Sequence, residues 1–321
     1  MQHKTRTSRH TGASLALLAL LALVVIGLFA TIWSGLPLPR LPDRVAAAAP
    51  ANGDMPLPTL AIRSSETKKA VLMQAAFDRI GYSLEAVARG YISVPRVLVA
   101  NLPPDIDRLD ALDGRKTLFL RLMLPVVLFV NEQIGQDRQH LLEIRHAIAG
   151  GRQLSDADVQ WVLGMADAYD QPDADIDSLL VKVDVIPPSL ALAQAIEESG
   201  WGTSRIARQG NALFGQFGMA GSGDRDYRVF ASLTEAVASY ARNLNSHRAY
   251  RDLRLMRARM RKREGEIDGW HLAGALTNYS ERGGDYVETV RSIMQDNRLE
   301  DFDAARLNRM KAATILARAD Q

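Results

Sequence analysis

The stretch from Ile186 to Gly218 reads IPPSLALAQAIEESGWGTSRIARQGNALFGQFG. Pro187 and Pro188 suit a helix start, because the first turn has no use for the N–H that proline lacks. Leu190, Ala191, Ala193, Ala195 and Ile196 are small or apolar on most sides, so the helix they open is largely buried. Gly200 and Gly202 end it. Two adjacent acids, Glu197 and Glu198, fall in its last turn. Successive helical residues point about 100° apart, so the two carboxylates meet different surroundings. A carboxylate there also sits at the unfavourable end of the helix dipole. Partial burial and the neighbouring ring of Trp201 act in the same direction, and all three raise a carboxyl pKa. A carboxyl still protonated near neutral pH is what general-acid chemistry requires. Two exposed helix-end charges are the alternative reading of the pair.

Outward from this stretch the pattern stays helical. Residues from Glu66 to Gly81 recur near period 3.6, and a basic helix follows near Tyr250 to Glu264. Lys116 to Gln133 is strongly apolar, broken by Pro125, and reads as a buried, kinked helix. Arg115, Lys116, Arg121 and Glu132 argue against a membrane span there. Further helices are expected at His140 to Ala149, Ser155 to Tyr169, Leu233 to Asn245, Trp270 to Leu276 and Asp285 to Asp296. Tyr91 to Val99 contains Pro95 and reads as a short strand or loop. Asp170 to Asp177 reads as a solvated acidic loop. The basic run Arg248 to Arg263 reads as a solvated helix face, with attraction to anionic polymer or headgroups as the alternative.

The N-terminus reads differently. Lys4, Arg6, Arg9 and His10 precede a run without charge from Ala13 to Trp33. A run of that length favours an uncleaved span over a signal peptide, since a bilayer takes roughly 20 apolar residues and signal cores are shorter, with cleavage near Ala46 to Ala49 as the alternative. The basic flank stays in the cytoplasm and sends the rest across. Six prolines between Pro37 and Pro58 then mark a tether. The expected organisation is an anchor at 1–34, a Pro/Ala-rich tether at 35–64, a helical region at 65–179 and a second helical domain at 180–321. The protein is placed on the inner (cytoplasmic) membrane, single-pass, with the domain periplasmic.

Composition excludes several classes. The chain of 321 residues has no cysteine, which removes disulfides, thiolate metal sites and cysteine nucleophiles. A net charge of +2 and 6% aromatics give no footprint for nucleic acid. No His, Asp or Glu cluster has metal-ligand spacing and no phosphate-cradling loop follows a strand, so no metal and no cofactor are expected.

The run AQAIEESGWGTS followed by GNALFGQFG resembles the N-acetylglucosaminidase domain of glycoside hydrolase family 73, which includes flagellar rod peptidoglycan hydrolases and the Bax-type proteins. The likeness continues through DYRVFASLTEAVASYARNLNSHRAYRDLR and LTNYSERGGDYVETVRSIM, roughly Leu180 to Phe302. It implies an all-α, lysozyme-like domain that hydrolyses β-1,4 bonds of N-acetylglucosamine, with peptidoglycan as substrate and the membrane as the other partner. The acid directly before Ser-Gly-Trp-Gly is catalytic in the family, which is Glu198 here. The family's functional tyrosine maps onto Tyr279. Family members often carry Tyr-Ala-Thr-Asp at this place, where this chain has Tyr-Ser-Glu-Arg-Gly, so Glu281 inherits the role of the following acid less directly; an ion pair with Arg282 is its other reading. Asn211, Leu213 and Phe214 form a turn against the catalytic helix. Trp201, Asn211 and Phe214 are candidate substrate contacts, with core packing open for Trp201 and a turn hydrogen bond open for Asn211. Tyr227 and Phe230 belong to a short β-type segment at the cleft edge, and Tyr286 is a packing residue. A muramidase or lytic transglycosylase is the nearest rival activity, and a non-catalytic envelope-binding module the rival of another class.

Overall fold

Helix α1, Lys69–Arg79, buries Ala70, Met73 and Phe77 along one stripe and stops at Gly81, whose φ of 70° no longer fits a helix. The computed structural model describes residues 69–109, 112–219, 225–263 and 265–309, all within one compact unit, Leu57–Gln321. The expected anchor (1–34) and tether (35–64) lie outside the described residues.

A short α2, Leu84–Ala88, leads to the segment expected as strand or loop. It forms a loop carrying one parallel bridge, Val94 to Leu307. Arg96 then grips Glu132 through two bonds of 2.8 and 3.0 Å.

Helix α3 runs unbroken from Leu112 to Ala149, 38 residues with Pro125 inside. The sequence suggested two helices here. Gly135, the weakest helix former between them, costs only about 1 kcal/mol relative to alanine, and the burial of Ile134, Leu141 and Ile144 on the far side offsets it. This helix is long and apolar enough to cross a membrane, but 67% of its most apolar window is buried inside the protein. Leu118, Phe119, Leu122, Met123 and Leu124 have no exposure at all. It is a core helix, as Arg121 and its neighbours suggested.

Helix α4, Asp156–Ala168, is capped by Ser155, and α5, Ile176–Lys182, by Asp175. Helix α6, Pro188–Ser199, occupies the centre, with every residue from Pro188 to Ile196 buried. It packs against α3, against α10, Gly269–Ala273, and against α11, Gly284–Asp296. Its N-terminus is satisfied by Asp303, which accepts from the Ser189 N–H at 2.8 Å and the Ser189 hydroxyl at 2.7 Å. Burial pushes the Asp303 carboxyl up to about 6 despite these two bonds.

Between α6 and α8, Leu233–Ser246, lie α7, Arg205–Gly210, and a hairpin of β1, Phe217–Met219, with β2, Arg225–Tyr227. The register pairs Phe217 with Tyr227 and Met219 with Arg225. The architecture is thus mainly helical with one small hairpin. Tyr227 lies in it, whereas Phe230 lies just beyond and is buried.

Helix α9, Arg251–Arg263, departs from expectation. Arg254, Arg257 and Arg261, spaced on one face, turn inward. Arg257 is fully buried and bonds the carbonyls of Val181, Lys182, Asp184 and Val185 and the Asn245 amide oxygen at 2.7–3.2 Å. Arg254 bonds the carbonyls of Leu244 and His247. One helix therefore caps the orphan carbonyl ends of two others. The basic face is in part a structural clamp, because the last turn of a buried helix needs donors and arginine supplies five.

Candidate active site

Helix α6 stops where the sequence said it would, and the stop shapes the site. Gly200, Trp201 and Gly202 all have positive φ, 59°, 61° and 73°. The buried Ser199 hydroxyl holds this turn, donating to the Ala195 carbonyl and accepting from the Gly202 N–H at 2.9 Å. A Cβ on Gly202 would stand 2.8 Å from Leu102 and 3.1 Å from Phe119, so the turn tolerates no side chain there.

Glu198 is half-buried one residue before this turn. Gly215 approaches it from the Phe214 loop so closely that a Cβ would meet the carboxylate at 2.6 Å. That loop is pinned twice. The Phe214 ring stacks on Tyr240 at 4.0 Å, and the Tyr279 hydroxyl donates to the Phe214 carbonyl at 2.8 Å. On the other side Tyr286 donates a hydrogen bond to the Glu198 carboxyl. Tyr286 stacks on Tyr279 at 5.3 Å, and Tyr250 tilts against Tyr279 at 5.9 Å. Glu198 thus lies among tyrosines.

Burial is the main force on Glu198 and raises its pKa above the ordinary carboxylate value. The Tyr286 hydrogen bond opposes it, Glu197 adds to it, and Arg282 opposes it. Arg282 is committed elsewhere: its guanidinium pairs with Glu197 at 2.6 Å and bonds Thr289. The two adjacent acids therefore have separate fates, as their angular offset required. Burial also holds the Tyr279 hydroxyl well above its usual range, so it is neutral.

The remaining candidates scatter. Tyr279 to Glu281 forms a turn, neither extended nor helical. Tyr279 points in, while Glu281 is exposed, makes no ion pair with Arg282, and is absent from the groups acting on Glu198. Trp201 packs edge-on to Phe119 at 5.9 Å with the Lys116 ammonium over its ring. Asn211 and Phe214, expected as substrate contacts, are buried at 3% and 2% exposure. Asn211 adopts a left-handed conformation at the end of α7 and donates to Asn101 and the Phe230 carbonyl, which is the turn role. Phe214 contributes its backbone to the site and its ring to the core.

Tyr286 and Gln194 were not read as site residues. Gln194 is fully buried four residues ahead of Glu198, on the same helix face. A lone polar residue inside an apolar helix, one turn from the acid, was the available signal. Among the described residues, no group of three or more His, Asp and Glu could hold a metal ion.

The family model described as Glucosaminidase, mannosyl-glycoprotein endo-beta-N-acetylglucosaminidase, matches residues 175–299. Protein bax of Escherichia coli (strain K12) is 32% identical over 206 residues, which covers 60% of this chain and 74% of that protein. The chain belongs to the Bax-type glucosaminidase family. The glucosaminidase match opens at Asp175, the N-cap of α5, and takes in Glu198, the Phe214 loop and the Tyr279–Tyr286 segment. Among solved structures, the catalytic domain of the autolysin Auto from Listeria monocytogenes is similar at 16% identity and a TM-score of 0.29, covering 50% of this chain and 97% of that one.

Proposed function

We propose that this Bax-type glucosaminidase hydrolyses the β-1,4 bond on the reducing side of N-acetylglucosamine in peptidoglycan, with Glu198 as general acid. The observation that carries the reading is the Glu198 carboxyl itself: half-buried, raised in pKa chiefly by burial, and bonded by a neutral tyrosine rather than paired with a cation. A pKa raised in this way favours the protonated form, which can deliver its proton to the glycosidic oxygen as the C1–O bond breaks. Positive charge then develops on the sugar ring. The Tyr279 hydroxyl has its proton engaged by the Phe214 carbonyl, which leaves its oxygen lone pairs to steady that charge. Glu281 stands exposed on its turn, so the second step rests on water positioned at Tyr279 or on the substrate's own acetamido oxygen. The apolar N-terminal run supports attachment to the inner membrane with this domain in the periplasm, where peptidoglycan lies.

The test is turnover of purified peptidoglycan by three variants. Glu198→Gln loses about 100- to 10,000-fold, the worth of a general acid. Glu197→Gln is much milder, and Glu281→Gln stays within a few-fold of the parent. A Glu281→Gln enzyme as damaged as Glu198→Gln would restore the two-carboxylate mechanism that the sequence suggested.

A further inference from the structure

We propose that Tyr286 is a positioning residue for Glu198, its hydroxyl aimed at the carboxyl by a one-way hydrogen-bond chain that begins at Tyr240 and passes through Gln194. The inference rests on the reading of Glu198 as the acid. Three observations fix the chain. The Tyr240 hydroxyl lies 2.7 Å from the Gln194 amide oxygen. The Gln194 amide nitrogen lies 3.0 Å from the Tyr286 oxygen. Tyr286 in turn bonds Glu198. Gln194 and Tyr240 have no exposure and Tyr286 has 1%, so water does not complete the set.

The direction follows from which atoms carry protons. Tyr240 is buried and neutral, and among the described residues its hydroxyl has Gln194 as its only partner. Its proton must go to the Gln194 oxygen, or it would be left without an acceptor at the cost of a buried unsatisfied donor. That choice turns the amide nitrogen toward Tyr286, and an amide nitrogen only donates. Tyr286 therefore accepts from Gln194 and has its own proton free for Glu198. The opposite amide orientation would aim the Tyr286 proton at Gln194, leave Glu198 without a donor and strand the Tyr240 proton.

This arrangement holds the carboxyl in one orientation against Gly215. It also stabilises the carboxylate that remains once the acid has given up its proton. Burial favours the protonated form, and the Tyr286 bond eases the proton's departure. Arg282, 5.9 Å from the Tyr286 ring and tied to Glu197, closes the outer side. The ring of Tyr286 stacks on Tyr279, so Tyr286→Phe removes the hydroxyl while keeping the packing.

The experiment uses the full-length chain in detergent, labelled with 13C at glutamate side-chain carboxyls. The Glu198 signal is the one missing from Glu198→Gln. In Tyr286→Phe its titration midpoint should move to higher pH, because a donor that favours the ionised form has gone. Turnover should fall about 10-fold, a part of the 100- to 10,000-fold that a general acid supplies, and its alkaline limb should shift upward with the midpoint. Gln194→Met should move the midpoint the same way, and the double variant should move it no further, since Gln194 acts through Tyr286. An unmoved or lowered midpoint in a folded Tyr286→Phe overturns the proposal, as does full additivity in the double variant. A Glu198→Gln enzyme that still turns over peptidoglycan would instead overturn the reading of Glu198 as the acid, while the midpoints would still decide the hydrogen-bond chain.

Discussion

Two carboxylates at helix ends in this molecule, one buried and one half-buried, are handled in opposite ways. Asp184, 2% exposed, sits at the end of α5 with two bonds of 2.7 and 2.6 Å from Arg261 and with Arg138 at 3.5 Å. Glu198, at the end of α6, faces hydroxyls and a glycine backbone, while the nearest cation, Arg282, is drawn off by Glu197. Arginines from two helices grip the first acid and tie three helices together. Neutral donors leave the second free to exchange a proton. The same side-chain chemistry at the same kind of helix end becomes a strut in one place and, in the reading proposed for Glu198, an acid in the other, according to whether arginine or tyrosine surrounds it.

The comparison breaks first at the strut. Arg257→Met removes the donor from the Val181 and Val185 carbonyls and the Asn245 side-chain oxygen, while the Lys182 and Asp184 carbonyls keep the Asp184 N–H and the Asn245 amide nitrogen. Buried acceptors left unpaired cost about 1–3 kcal/mol each, so the loss of several should lower the unfolding temperature by about 6 °C or more on a scale of about 2–4 °C per kcal/mol. Arg259→Met, on the exposed face of the same helix, should change stability by less than about 0.5 kcal/mol. Equal effects from the two would mean that the inward face of α9 is not a clamp.

Next in size is Gly215→Ala. Its Cβ would overlap the Glu198 carboxylate at 2.6 Å, at a φ of 60° that already disfavours alanine. A displacement of about 1 Å at a reacting group costs on the order of 100-fold, so kcat should fall about 10- to 100-fold with the fold retained. Unchanged turnover would show that the acid does not work in the position described.

The smallest effect is on stability and carries a definite sign. The folded pKa of Glu198 lies above its unfolded value, mainly through burial. The charged form therefore weakens the fold at pH values above the folded pKa. That penalty fades as pH falls through the folded pKa and is gone below the unfolded one. Glu198→Gln should raise the unfolding temperature by a few degrees at pH 8 and by less at pH 5. The change in the Asp303 carboxyl, with its pKa of about 6, is common to both proteins and cancels in the difference. A gain that is equal at both pH values would remove burial as the cause of the raised pKa.

Local signals carried the helix ends. Pro187 with Pro188, Ser155 and the two glycines around Trp201 all mark breaks that the structure keeps, because caps and positive φ are decided within a few residues. That Glu197 and Glu198 meet different surroundings followed from helix geometry, while the choice of Glu198 as the acid rested on the family resemblance. What needed the third dimension was harder to read. Gln194 and Tyr286 meet from helices far apart in sequence, and nothing near Tyr286 announces its hydroxyl bond. The inward arginines of α9 look like a solvated face until the carbonyl end of α5 is placed beside them. Glu281 was placed by its position after Tyr279 in the family pattern, and the exposed turn that carries it is a feature of the fold which that pattern does not show.

The most direct test of the central claim is product analysis. Purified peptidoglycan is digested with the full-length protein, reduced, and examined by mass spectrometry beside a Glu198→Gln digest. The account predicts reduced N-acetylglucosamine ends from the parent protein and almost none from Glu198→Gln. Reduced N-acetylmuramic acid ends, anhydro ends, or the same products from both proteins would contradict it.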